Sequence, residues 1–221
     1  MKQLTLLFLL IVQSAIAQNT LFNQVEAKNI GPTIMSGRVV DLAVNPKNPT
    51  EFYVAYATGG LWYTNNNGTS FSSVMDSSET VNCGSVTVDW NSGTIWVGTG
   101  EVNASRSSYA GVGVLKSSDK GKTWENLGLK DSHHISRIWV NPSNLNEIVV
   151  AAVGHLYTTN KERGIYKSTD GGKSWKQTLF VAEDAGIIDL AVSKNNPKIM
   201  FAASWQKDRK AWHFDGDGEK S

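Results

Sequence analysis

One cysteine, five prolines and no long apolar run after residue 17 set the outer limits of this 221-residue chain. Cys83 stands alone, so no internal disulfide forms and stability must come from burial. It lies in VNCGSVTV, at the head of a β run, the setting of a small core residue rather than of a reactive thiol. Neither sign of charge dominates, with 21 Lys and Arg against 20 Asp and Glu. A partner as anionic as nucleic acid is excluded on that balance. No segment after Ala17 is long and apolar enough to span a membrane as a helix. Helical runs of Ala, Leu, Glu and Lys are scarce as well, whereas Trp (eight) and Gly (20) are plentiful, which points to an all-β chain.

The N-terminus reads as an export signal. Met1-Lys2-Gln3 precedes the apolar run Leu4–Val12, and Ala15-Ile16-Ala17 supplies small residues for cleavage after Ala17. The run is too short to cross a bilayer. Gln18, not cysteine, stands directly after the cleavage point, so a lipid anchor is not expected. The expectation is a secreted or periplasmic protein with a signal peptide at 1–17, a lead-in at 18–35 and one domain from 36 to 221.

That domain is repetitive. SSDKGKTW (117–124) returns as STDGGKSW (168–175), 51 positions later. A degenerate copy, TNNNGTSF (64–71), places Asn66 where the others have Asp and Phe71 where they have Trp. DLAVNPKNP (41–49) returns as DLAVSKNNP (189–197), about three units on. Each unit parses into a first β run (Val39–Val44, Val86–Trp90, Ile135–Val140, Ile187–Val192), a turn, and a second run (Phe52–Ala57, Thr94–Gly98, Ile148–Val153, Ile199–Ala203). A loop of variable length leads to a third run (Leu61–Thr64, Val112–Lys116, Gly164–Lys167), and the octamer then turns into a fourth (Phe71–Met75, Trp124–Leu127, Trp175–Phe180). Short β-branched and aromatic runs separated by Gly, Asn and Pro are the strand-and-turn pattern.

Four antiparallel strands per unit of about 50 residues make the blade of a β-propeller. Blades are expected near 36–79, 80–130 and 131–182, with an incomplete one at 183–221. Three and a half blades leave open sheet edges. The reading is therefore an N-terminal fragment, with the remainder of the propeller expected C-terminal to Ser221.

The octamer suits a tight turn between the third and fourth strands. Asp119 and Asp170 accept hydrogen bonds from N–H groups of their own turn, and Ser117 and Ser168 do so more weakly. Gly121 and Gly172 supply positive φ. Trp124 and Trp175 fold back and bury apolar area against the neighbouring sheet. These residues have a structural task. A calcium loop would want more carboxylates at alternate positions.

SSDKGKTW and STDGGKSW resemble the Asp-box, or bacterial neuraminidase repeat, in the form found in sortilin-type propellers and in exported bacterial glycosyl hydrolase-like proteins. GPTIMSGRVVDLAVNPKNP, GTGEVN, KDSHHISRIWVNPSN and GHLYTTNKERGIYKSTDGGKSW extend that resemblance over nearly all of residues 28–215. It implies the propeller fold strongly and an activity weakly, because the same turn serves sialidases, xyloglucanases, assembly factors and sorting receptors.

Alternating strand direction puts the octamer turns and the Asn-Pro turns on one face. The loops between second and third strands, and the links between units, fall on the other. That mouth face is where a ligand site is expected. The candidate residues are Arg38, Glu101, Arg106, Asp131, His134, Arg137, His155, Arg163, Trp205 and Trp212. Arg38 and Arg137 begin equivalent strands, so a repeated structural role competes with ligand contact for both. Adjacent His133 and His134 point to opposite sides of an extended segment, which argues against a zinc pair. No metal site and no cofactor are expected.

Two functions compete for this face. A binding propeller would hold a peptide, glycan or protein ligand there, with Trp, Tyr and Arg as anchors. A glycoside hydrolase acting on extracellular polysaccharide would need two carboxyl groups facing each other across a sugar, with Glu101, Asp131, Glu162 and Asp184 as contributors. The arginines lack the context of a sialidase. The binding module is the preferred reading.

Overall fold

The computed structural model describes residues 37–103 and 108–221. The expected signal peptide, the lead-in and Arg106 lie outside the described residues. Three four-stranded antiparallel sheets follow one another: β1 (Val39–Val44) to β4 (Ser72–Ser73), through β2 (Phe52–Tyr56) and β3 (Gly60–Thr64); β5 (Cys83–Asp89) to β8 (Glu125–Asn126), through β6 (Thr94–Thr99) and β7 (Val114–Ser117); and β9 (Ile135–Val140) to β12 (Lys176–Leu179), through β10 (Ile148–Ala152) and β11 (Gly164–Ser168). A fourth unit has β13 (Ala185–Val192) paired with β14 (Met200–Gln206), then a small hairpin of β15 (Asp208–Arg209) and β16 (Phe214–Asp215). Strands are paired in sequence order throughout, the meander of a propeller blade. The chain is an all-β partial propeller.

Period-two alternation explains how the sheets stack. On β6, Ile95 and Val97 face the first sheet and join Leu61, Met75 and Cys83 in one buried cluster. Trp96, between them, faces the other way and packs with Ile135 and Ile148 of the third sheet. On β10, Ile148, Val150 and Ala152 face the second sheet, whereas Val149 and Ala151 face Ile187 of the fourth. A central strand buried on both faces reads as a continuous apolar run, and each buried aliphatic side chain contributes roughly 1.5–3 kcal/mol. The outer faces of the end sheets leave Val39, Leu42, Val44 and Phe201 exposed.

The first strands lie next to one another and are linked by hydrogen bonds from unit to unit. Asp41 Oδ2 accepts from the Val86 N–H (3.0 Å), Thr87 Oγ1 donates to the Ile138 carbonyl (2.6 Å), and Ser136 Oγ donates to the Ile187 carbonyl (2.7 Å). Each first strand carries a register shift at the same place, between Val39 and Asp41, Cys83 and Ser85, Ile135 and Arg137, and Ile187 and Asp189. A recurring bulge bends and twists a strand where it must turn about an axis.

That register corrects the pairing of Arg38 with Arg137. Asp41 pairs with Ala55 and Arg137 with Ala151, so Arg137 is the counterpart of Asp41. Arg38 instead matches His134, since their carbonyls accept from the equivalent N–H groups of Ala57 and Val153.

The octamers build their turns identically. Ser117 Oγ accepts from the Gly121 N–H (2.7 Å) and donates to Asp119 Oδ1 (2.8 Å), while Asp119 also accepts from the N–H and hydroxyl of Thr123 (2.9 and 2.6 Å). Ser168, Asp170, Gly172 and Ser174 repeat this network. In the degenerate copy Thr64 and Asn66 reproduce it, with Asn66 Oδ1 accepting from the Ser70 N–H (3.0 Å). Two consecutive residues have positive φ in all three turns: Asn67-Gly68, Lys120-Gly121 and Gly171-Gly172. A Cβ on Gly121 would lie 2.7 Å from Val74, and one on Gly172 2.7 Å from Leu127, so these glycines also admit the preceding sheet. Trp124 and Trp175 are only half-buried, and each indole sends its N–H to that preceding sheet. The fourth strands are shorter than expected, two residues in β4 and β8 and four in β12.

Candidate functional site

On the face opposite the octamer turns, loops and links meet in relay. The Gly111 N–H donates to the His133 carbonyl (2.7 Å), His155 Nε2 bonds the Asp131 carbonyl (2.7 Å), and the Asn160 N–H donates to the Glu183 carbonyl (3.0 Å). The segment after β10 is thereby held between the third and fourth units, and the hairpin after β14 closes against it.

Several candidates are committed to the fold. Glu101 is fully buried and forms an ion pair with Arg38, whose side chain is half exposed. Arg137 sits within β9 rather than in a loop; its Nε donates to Asp189 at 2.8 Å and its Nη1 to the Ser136 carbonyl. His134 is buried, and burial pushes its imidazole down to about 3, leaving a neutral ring in the core. His133 turns the other way and stacks on His155 with ring centroids 3.7 Å apart. Arg163, 1% exposed, donates to the carbonyls of Val153 (3.1 Å), His155 (2.5 Å) and Thr158 (3.0 Å) and so ties down its own loop. Asp131 is exposed beside that loop, and Trp212 is exposed at the tip of the β15–β16 hairpin.

A cleft of about 410 Å³ opens between the β10–β11 loop and the hairpin, within the range of small-ligand sites. Leu156, Tyr157, Thr158 and Thr159 line it from the β10–β11 loop, and Gln206, Lys207, Asp208 and Asp215 from β14 and the hairpin, with Arg163 and Asp184 completing the lining. Trp205 anchors the hairpin by donating from Nε1 to the Gly216 carbonyl (2.7 Å) and meeting Phe214 edge to face. Lys207, 5% exposed, places its ammonium 4.0 Å above the Trp205 ring. Arg209, also buried, lies 5.8 Å from the rings of Tyr157 and Phe214.

The electrostatics of the cleft are unusual. Burial, then the charges of Arg163 and Arg209, push Lys207 down to about 7. Asp184 is held below the usual carboxylate range by Lys220, and Asp215 by hydrogen bonds from Asp217. Lys207 was missed in the sequence because QKDRK reads as a solvated charged run. Its position directly after a second strand, where β2 and β6 also lead into buried segments, is the signal that marks it.

Outside this chain, no family model matches. A curated relative, vacuolar protein sorting/targeting protein 10 of Kluyveromyces lactis, is 36% identical over 86 residues, 38% of this chain and 5% of that protein. Among solved structures, an ancestral GH74 enzyme superposes over 82% of this chain and 24% of its own, with a TM-score of 0.58 and 18% identity. The extracellular domain of a hybrid two-component system from B. thetaiotaomicron covers 87% of this chain and 25% of its own, with a TM-score of 0.54 and 14% identity. At these identities the structural likeness is one of fold. The chain spans a twentieth of the curated relative and about a quarter of each of these two structures.

Proposed function

We propose that this chain is part of an exported, sortilin-like propeller that acts as a ligand- or protein-binding module through the face opposite the octamer turns. The observation that carries this reading is the cleft itself: aromatic, hydroxyl, amide and charged side chains from two successive units converge on one opening. The local identity to the vacuolar sorting/targeting protein supports a binding role. Export rests on the signal-like residues 1–17.

The hydrolase alternative draws on the likeness to GH74 enzymes, which concerns the fold. Glycoside hydrolysis needs one carboxyl group kept protonated by a raised pKa. Asp184 and Asp215, at the cleft, are shifted the opposite way, and Asp217, which is raised by its contact with Asp215, does not line the cleft. Glu101 is buried with Arg38 and faces no sugar. Binding therefore fits this geometry better than hydrolysis.

The test is a binding screen of the purified chain against glycan and peptide libraries, with release of reducing sugar followed in parallel. The reading expects retention of a ligand class without sugar release. It also expects loss of retention when Tyr157→Ala and Thr159→Ala are combined in a chain of unchanged melting temperature. Turnover of a polysaccharide, or retention indifferent to both substitutions, would overturn it.

A further inference from the structure

Lys207 is the least compensated charge at the cleft. Its Nζ has no hydrogen-bond acceptor among the described residues and lies over the Trp205 ring. Taking an ammonium out of water without an anion costs several kcal/mol. The nearby carboxylates do not supply one. Asp184 is bonded to Lys220 (2.9 Å) and to Gln206 (2.7 Å), and Asp208 to Lys210 (3.0 Å). Two more buried cations, Arg163 and Arg209, raise the local potential further. Asp184 and Asp208 line the same cleft, but their oxygens are engaged by exposed lysines, whereas Lys207 and Arg163 are buried.

We infer that this cleft holds a carboxylate-bearing sugar, a uronic acid residue, with its carboxylate over Lys207 and its hydroxyls among Thr158, Thr159, Gln206 and Asp215. The lining combines cations with neutral donors and carboxylate acceptors. That mixture complements a ligand having one negative group and several hydroxyls. An acidic peptide matches it less well, because it brings no hydroxyls for the neutral donors and the carboxylate acceptors. Tyr157, half exposed at the rim, offers a ring face to a sugar. The inference rests on the mouth face being the ligand face and adds the class of ligand.

The experiment is calorimetric titration of the full chain with three probes: a tetragalacturonate, the same oligomer fully methyl-esterified, and a peptide of alternating Glu and Gly. Tetragalacturonate is expected to bind, with the ester at least tenfold weaker and the peptide weaker still. Lys207→Met keeps the volume and apolar stem, and is expected to lose the acidic oligomer at least tenfold while melting no lower. Should that variant fail to fold, the acid-to-ester comparison on the unaltered chain decides alone. Equal binding of acid and ester, or preference for the peptide, overturns the uronate assignment and leaves a binding module standing. Failure to bind these probes, together with an empty library screen, overturns both.

Discussion

The indole of Trp175 donates from Nε1 to the carbonyl of Leu127 at 2.7 Å, across the gap between the third sheet and the second. Trp124 does the same to Val74 at 3.0 Å, one sheet earlier. The octamer therefore does two jobs with one motif: its Ser and Asp close a turn, and its Trp fastens that turn to the sheet before it.

The two parts of the Trp175 contribution separate by substitution. Trp175→Phe keeps ring packing and loses the donor, as Phe71 does naturally, and is expected to cost about 1 kcal/mol. Trp175→Ala loses both and should cost about 2–3 kcal/mol, less than a fully buried Trp because the side chain is only partly buried. Urea melts of both variants check the order.

Asp119 is held down to about 2 by the hydroxyl and N–H of Thr123 and by Ser117, and Asp170 lies lower still by the same contacts. A carboxyl group lowered on folding stabilises the protein above its ordinary value of 3.8 and loses that contribution as pH falls through the folded value. Melting temperature should thus drop between about pH 4 and 2. Asp119→Asn with Asp170→Asn should flatten that limb while preserving the turns, since Asn66 already occupies the same geometry.

Arg38 and Glu101 form a pair with one buried member. Arg38→Ala is expected to destabilise by roughly 1–3 kcal/mol, the lower part of the range reflecting the half-exposed arginine. Adding Glu101→Gln should return part of that loss, because the stranded charge disappears. A double-mutant cycle in guanidinium measures the coupling.

Lys207 titrates the opposite way from the octamer carboxylates. Its folded value, about 7, lies below its ordinary 10.5. Between those values the unfolded chain holds a proton that the folded one lacks, so stability rises with pH from about 7 toward 10.5 and the penalty is complete below 7. Asp184 and Asp215, both held below the usual carboxylate range, are already ionised here. Lys207→Met should remove the slope, as read from thermal melts at pH 6, 8 and 10.

Cys83 is fully buried, and burial pushes its thiol up to about 12. A thiolate reagent at pH 8 should leave the folded chain unmodified and label it on addition of denaturant. Mass spectrometry reads the adduct directly.

The repeat made the architecture legible. Val39–Val44 and Ile135–Val140 run over the residues read from alternation alone, and the octamers turn where their Gly and Asp place them. The candidate site was legible only as a face. Loop residues were chosen for chemistry, and burial then divided them: Glu101, His134 and Arg163 went inside, while Asp131 and Trp212 stayed out. A single sequence does not show which charged side chain a neighbouring sheet will cover. Arg38 and Arg137 misled for a related reason. Both precede an apolar run, but Arg38 stands seven residues before Asn45 and Arg137 four before Asn141, and counting from the strand start hides this.

The indole clasps all point one way along the chain, from a later sheet to an earlier carbonyl. A polypeptide emerging N-terminus first would find each acceptor already in place when its donor appears, and could accrete sheets singly instead of waiting for a distant partner. Phe71, with no N–H to send backward, packs on Phe52 of its own sheet, with ring centroids 6.1 Å apart, and asks for no earlier carbonyl. Vectorial growth of this kind would let synthesis and maturation proceed together, with each octamer acting as a ratchet tooth.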